Sequence, residues 1–96
     1  MIELDCLEQV EGSKNDHDLV LFALSTCPHC RSARNFLDAN DLSYRFVYLD
    51  LLKGDEQKSV LEEASKYNPR KSFPTLVVDD QVLVGFTENY WRMKLL

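Results

Sequence analysis

Two cysteines, Cys27 and Cys30, enclose Pro28 and His29, and this tetrapeptide is the part of the chain best equipped for chemistry. An apolar run from Leu19 to Leu24 precedes it and reads as a buried strand. The stretch from Arg31 to Asn40 follows it and reads as a helix. The cysteines therefore fall where a strand gives way to a helix. A helix N-terminus presents unpaired N–H groups and a partial positive charge. A thiolate there is stabilised, and thiol pKa values in such settings fall from about 8.5 to roughly 3.5–7.5. Cys27 sits in that field. Pro28 suits the first helical position, where a missing N–H costs nothing. Cys30, one turn further on, is placed to resolve a mixed disulfide formed at Cys27. An imidazolium at His29 adds positive charge beside Cys27 and favours its thiolate.

The totals bound what surrounds this site. Ninety-six residues make one domain, and a hydrophobic fraction of 45% is that of a globular chain. A net charge of −5 argues against a general nucleic-acid binder, which needs a basic face. Met1 to Val10 carries three acidic residues and no basic one, unlike a signal peptide. The longest apolar run is six residues, against roughly 20 needed to span a bilayer. The expected address is the cytoplasm, where a lone Cys-x-x-Cys is catalytic more often than it is a structural disulfide.

The elements around the site follow from periodicity. Ile2 to Leu7 alternates apolar and polar and suits a short edge strand, and Glu11 to Asp18 reads as a polar loop. Residues 1–17 are taken as an N-terminal extension and 18–96 as the domain. The unbroken apolar character of Leu19 to Leu24 suits a central strand covered on both faces. In the helix after the cysteines, Ala33, Phe36 and Leu37 form the buried stripe. Tyr44 to Leu49 is rich in β-branched and aromatic residues and reads as a second strand, parallel to the first with a right-handed crossover. A helix from Asp55 to Tyr67 stops at Asn68-Pro69. Leu76–Val78 and Val82–Val84 make a hairpin, and Thr87 is positioned to cap a last helix from Glu88 to Leu95. Cys6 and His17 read as a packing residue and a solvated loop residue.

The order β-α-β-α-β-β-α, with Cys-x-x-Cys between the first main strand and its helix, resembles a glutaredoxin of the thioredoxin-fold superfamily. Four features carry the resemblance: Thr26-Cys27-Pro28-His29-Cys30, Ala33-Arg34, Phe73-Pro74-Thr75 and Gly85. It implies an α/β fold with a central mixed four-stranded sheet flanked by helices. It implies a cis Phe73–Pro74 bond lying against the cysteines, with Phe73 offering its backbone to an extended peptide or to glutathione. The activity implied is dithiol exchange, with Cys27 as nucleophile and Cys30 as resolving thiol. Its partners would be disulfide-containing proteins or glutathione and a reductase as electron donor, with no metal or other cofactor and a monomeric carrier.

The chain also departs from that pattern. Glutaredoxins that use glutathione usually carry lysine three residues before the first cysteine, where this chain has Leu24. They usually carry Gly-Gly-Asp after the hairpin, where this chain has Gly85-Phe86-Thr87. Lys71 matches a basic residue often found before the proline, and Thr87 with the N-terminus of the last helix can hold a carboxylate. The Gly85-Phe86 pair resembles the glutaredoxin-like hydrogen donors that draw on thioredoxin reductase. The Cys-Pro-His-Cys tetrapeptide itself resembles that of the periplasmic disulfide oxidase, a larger protein. The alternatives to a glutathione-linked enzyme are therefore a thioredoxin-reductase-dependent donor, a metal or iron–sulfur-binding module, and a non-catalytic interaction module. Arg31, Arg34, Arg70 and Lys71 are further sources of positive potential near the site.

Overall fold

The computed structural model describes residues 2–96, so that Met1, the first residue of the N-terminal segment, lies outside it. The strands are β1 (Glu8–Val10), β2 (Leu19–Ala23), β3 (Tyr44–Tyr48), β4 (Thr75–Val78) and β5 (Gln81–Val84). The helices are α1 (Pro28–Ala39), α2 (Gly54–Tyr67) and α3 (Glu88–Leu95), with a 3-10 turn at Leu49–Leu51. The strands form one sheet in the order β1-β3-β2-β4-β5. β2 runs parallel to β3 and antiparallel to β4, and β5 returns antiparallel to β4.

All five residues of β2 are buried, as their unbroken apolar run requires of a strand covered on both sides. Its side chains alternate between two cores. Leu19, Leu21 and Ala23 meet Ala33, Phe36 and Leu37 of α1 and Trp91 and Leu95 of α3. Val20 and Phe22 meet Val60 and Ala64 of α2. Removing a side chain such as Phe22 from water stabilises the fold by roughly 1.5–3 kcal/mol. The α1 crossover between parallel strands places the N-terminus of α1 at the C-terminal end of β2.

The sheet has five strands, where four are expected from the sequence. The fifth is β1, which pairs antiparallel with the outer edge of β3, Glu8 opposite Phe46 and Val10 opposite Tyr44. The alternation from Ile2 to Leu7 does not form a strand, since Asp5 and Cys6 make a turn. Its apolar residues Ile2, Leu4 and Leu7 instead cover the α2-side core. Gly12 then lets the chain pass close to α1's end. A Cβ there would lie 2.5 Å from the Asp41 carbonyl oxygen. Ser43 seals the contact, its Oγ accepting the Gly12 N–H and donating to the Gly12 carbonyl, both at 2.8 Å. The second main strand ends at Tyr48 rather than Leu49, because the chain tightens into the 3-10 turn.

Candidate active site

Cys27 is the N-cap of α1, with extended backbone and Pro28 in the first turn. Its sulfur accepts the Cys30 N–H at 3.4 Å, and the Arg31 N–H donates to its carbonyl at 3.1 Å. Cys27 is half-buried, and Pro28 and His29 are exposed. Cys30, on the inner face of the same turn, is 0% exposed. Its sulfur accepts the Leu24 N–H at 3.5 Å, so the end of β2 and the first turn of α1 are joined through it.

The two thiols differ in acidity for physical reasons. Burial pushes Cys27 upward, but hydrogen bonds from the Cys30 thiol and from the N–H groups of Cys30 and His29 outweigh it and hold Cys27 below the ordinary value. Deeper burial pushes Cys30 up to about 12, with the Cys27 sulfur reinforcing the shift and the Leu24 N–H opposing it. Of the two thiols Cys27 is the first to ionise, and Cys30 keeps its proton and donates it toward the Cys27 sulfur. Asp50 stands beside this turn. Its carboxylate accepts the Ser25 N–H at 2.8 Å and the Ser25 hydroxyl, fixing the loop that leads into Cys27.

The Phe73–Pro74 bond is cis. Phe22 of β2 is level with Thr75 of β4, so the residues before Thr75 run alongside those after Phe22 and reach the cysteine end of the sheet. Phe73 is half-buried and packs against both cores, while Pro74 is buried. The Pro74 carbonyl accepts the Gly85 N–H at 2.8 Å, bringing the end of β5 to the same place. The Phe73 N–H and carbonyl have no hydrogen-bond partner among the described residues. Gly85 takes φ 75°, and its carbonyl accepts the Trp91 indole N–H at 3.1 Å.

Thr87 is the N-cap of α3, but its side chain makes no capping hydrogen bond and is exposed. The expected cap thus supplies backbone conformation only. Lys71 is exposed on the loop after α2, with φ 57°, its N–H donating to the Asn68 carbonyl at 3.0 Å. Leu24 packs against the α2-side core. Cys6 packs on that same face, opposite to Cys30, and burial followed by Glu56 raises its pKa. Among the described residues no three His, Cys, Asp or Glu side chains gather as a metal site, and no helix is long and apolar enough to cross a membrane.

Two contributors escape a reading of the sequence. Asp50 lies in the 3-10 turn after β3 with no motif around it, and its role appears only when Ser25 meets it. Asn68 reads as a helix stop, yet its side chain is buried inside the loop that carries Phe73 and Pro74.

Comparison with known proteins agrees with this arrangement. A family model described as Glutaredoxin matches residues 19–83. Glutaredoxin 1 of Rickettsia bellii (strain RML369-C) is 24% identical over 74 residues, covering 77% of this chain and 74% of that protein. Among solved structures, the glutaredoxin from Methanosarcina mazei Go1 superimposes with a TM-score of 0.82 at 33% identity, covering 95% of this chain and 88% of that one. Methanoredoxin of Methanosarcina acetivorans gives a TM-score of 0.82 at 32% identity, covering 88% of each chain.

Proposed function

Since the chain belongs to the glutaredoxin family, whose chemistry is thiol–disulfide exchange, we propose that it reduces disulfides with Cys27 as nucleophile and Cys30 as resolving thiol. The observation that carries this assignment is the asymmetry of the pair. Cys27 is half-buried at the helix N-cap with its pKa held below the ordinary value, whereas Cys30 is enclosed and its pKa is pushed up. The Cys27 thiolate attacks one sulfur of the substrate, breaking its S–S bond and releasing the other sulfur as a thiolate that takes up a proton. Cys30 then gives up its proton and attacks the Cys27 sulfur. The second thiol leaves, a Cys27–Cys30 disulfide closes, and two electrons have passed to the substrate. Two electrons from a reductant restore the dithiol.

The unpaired N–H and carbonyl of Phe73 are suited to an extended substrate backbone, pairing as an added strand would. Pro28 fixes the start of α1, and the His29 backbone N–H favours the Cys27 thiolate, which makes the couple more oxidising. Glutathione is one candidate co-substrate, with Lys71, Gly85 and the α3 start near Thr87 as its contacts. Thioredoxin reductase is the alternative donor, favoured by the apolar, packed Leu24 where a glutathione-binding lysine is common. Disulfide-containing proteins are the proposed substrates.

The deciding experiment is a coupled NADPH assay on a simple disulfide, run once with glutathione and glutathione reductase and once with thioredoxin reductase. Consumption that requires Cys27 in either arm supports exchange, and the arm that works names the donor. A Cys27→Ser variant as active as the parent would overturn the assignment.

A further inference from the structure

Among the described residues, Asn68 and Thr75 are the buried polar ones, 4% and 1% exposed, and they are bonded to each other. Burying an amide in this way costs stability unless each of its groups finds a partner. Asn68 meets that condition with side-chain bonds that all fall on residues 70–75, the loop after α2 and the first residue of β4. Its Nδ2 shares two hydrogens among the Ser72 carbonyl at 2.9 Å, the Thr75 hydroxyl at 3.0 Å and the Ser72 hydroxyl at 3.1 Å. Its Oδ1 accepts the Arg70 N–H at 3.2 Å. Its backbone closes the turn as well, with the N–H reaching Ala64 at 2.9 Å and the carbonyl accepting Lys71 at 3.0 Å. Thr75 completes the unit by donating to the Ser72 carbonyl at 2.8 Å.

Little else can hold this segment. Pro69, Arg70, Lys71 and Ser72 are all exposed, so no apolar packing fixes their course before Phe73. The amide therefore takes the part that a hydrophobic contact plays in other loops. A purely structural amide would serve equally well anywhere in the fold, whereas this one is devoted entirely to the segment that ends in Phe73 and Pro74.

We propose that Asn68 is a positioning residue for disulfide exchange, its buried amide setting the course of residues 69–74 and hence the place of the Phe73 backbone against a disulfide engaged by Cys27. The proposal rests on the exchange reading given above. Asn68 touches no reacting atom. It acts through Ser72 and Thr75 on the substrate side of the site, and it has no bond to either active-site cysteine.

Asn68→Asp provides the test. It keeps the size of the side chain and the acceptor for Arg70, but turns an oxygen toward the Ser72 carbonyl where a donor stood. Two rates are measured on the reduced parent and variant. One is reduction of a glutathionylated cysteinyl peptide, with the dithiol regenerated by NADPH and whichever of the two donor systems supports the parent, resolved into kcat and KM. The other is alkylation of Cys27 by iodoacetamide as a function of pH, which needs no seated disulfide. The expected result is a fall of about tenfold in kcat/KM, carried mainly by KM, with the alkylation profile unchanged. A folded Asn68→Asp variant within about twofold of the parent in kcat/KM overturns the proposal. So does an alkylation profile that shifts along with the loss, since the amide would then act on the thiol and not on the loop. If far-UV circular dichroism shows Asn68→Asp unfolded, Thr75→Val, which keeps shape and removes the hydroxyl, takes its place with the same expected and overturning results. A parent protein that reduces no disulfide overturns the exchange reading, and this proposal with it. An active parent with an unchanged variant overturns the proposal alone.

Discussion

The Gly85 N–H donates to the Pro74 carbonyl at 2.8 Å, which makes the end of the hairpin and the proline loop one unit. Gly85 holds that bond at φ 75° with open space where a Cβ would stand. The cost of a side chain there is therefore backbone strain and not collision. Gly85→Ala is expected to lose about 1 kcal/mol and to melt about 4–8 °C lower by circular dichroism. An alanine variant melting with the parent would show that the left-handed conformation is not needed.

The thiols of Cys27 and Cys30 are expected to ionise far apart. In a Cys6→Ser background, the first rise of absorbance at 240 nm should have its midpoint below 9.0 and vanish when Cys27 is also replaced by Ser, and Cys30 should follow only near pH 12. In a Cys27→Ser variant, iodoacetamide at pH 8 should leave Cys30 unmodified while the protein stays folded. Because folding lowers the Cys27 pKa, its contribution to the stability of the reduced form is fully present above pH 9.0 and is lost as pH falls through the folded value. The stability difference between reduced parent and Cys27→Ser should therefore grow with pH up to about 9. A difference that is flat or shrinks over that range contradicts the assignment of the acidic thiol.

Arg34 lies across the face of β3. Its guanidinium carbon is 3.8 Å from the Phe46 ring centroid, and its N–H groups donate to the hydroxyls of Tyr44 and Tyr48, both at 3.0 Å. The Tyr44 hydroxyl in turn donates to Asp38 at 2.8 Å. Lysine can supply the charge but not the planar fork. Arg34→Lys is expected to cost roughly 1 kcal/mol and Arg34→Ala roughly 2 kcal/mol, read from urea midpoints at constant m-value. Equal midpoints for the two variants would mean that only the charge matters.

At the far end of the sheet, Asp79 accepts the Asp18 N–H and His17 Nδ1, both at 2.9 Å. The Asp18 N–H, followed by His17, holds the Asp79 carboxyl below its ordinary value of 3.8. A depressed carboxyl contributes stability above its unfolded pKa and loses it as pH falls through the folded one. Asp79→Asn should therefore be less stable than the parent at pH 6, and the two should converge on acidification below pH 3.8. A gap that persists at low pH would place the effect in the shape of the turn.

The parts of the fold legible in the sequence were those with strong periodicity. β2 has an unbroken apolar run, and α1 has its stripe of Ala33, Phe36 and Leu37 behind a proline in the first turn. β1 was not legible because its pairing is decided by the free edge of β3 and not by its own residues, two of which are exposed. The alternation just before it proved to be packing of Ile2, Leu4 and Leu7 beside a turn. Within the site, Cys27 and Cys30 announce themselves by spacing. Asn68 and Asp50 do not, since a buried amide and a loop-tying carboxylate are defined by partners such as Thr75 and Ser25 that folding brings to them. Thr87 shows the converse, a residue type suited to capping whose hydroxyl is left unused.

The enclosure of Cys30 has a consequence for traffic. With Cys27 half-buried and Cys30 sealed beneath it, the proposed mechanism has electrons enter and leave through the same atom. On the exchange reading, donor and acceptor must then take turns at a common doorway and cannot be bound there together. Throughput is set by how quickly each visitor departs, and an abundant acceptor that lingers acts as an inhibitor of reloading.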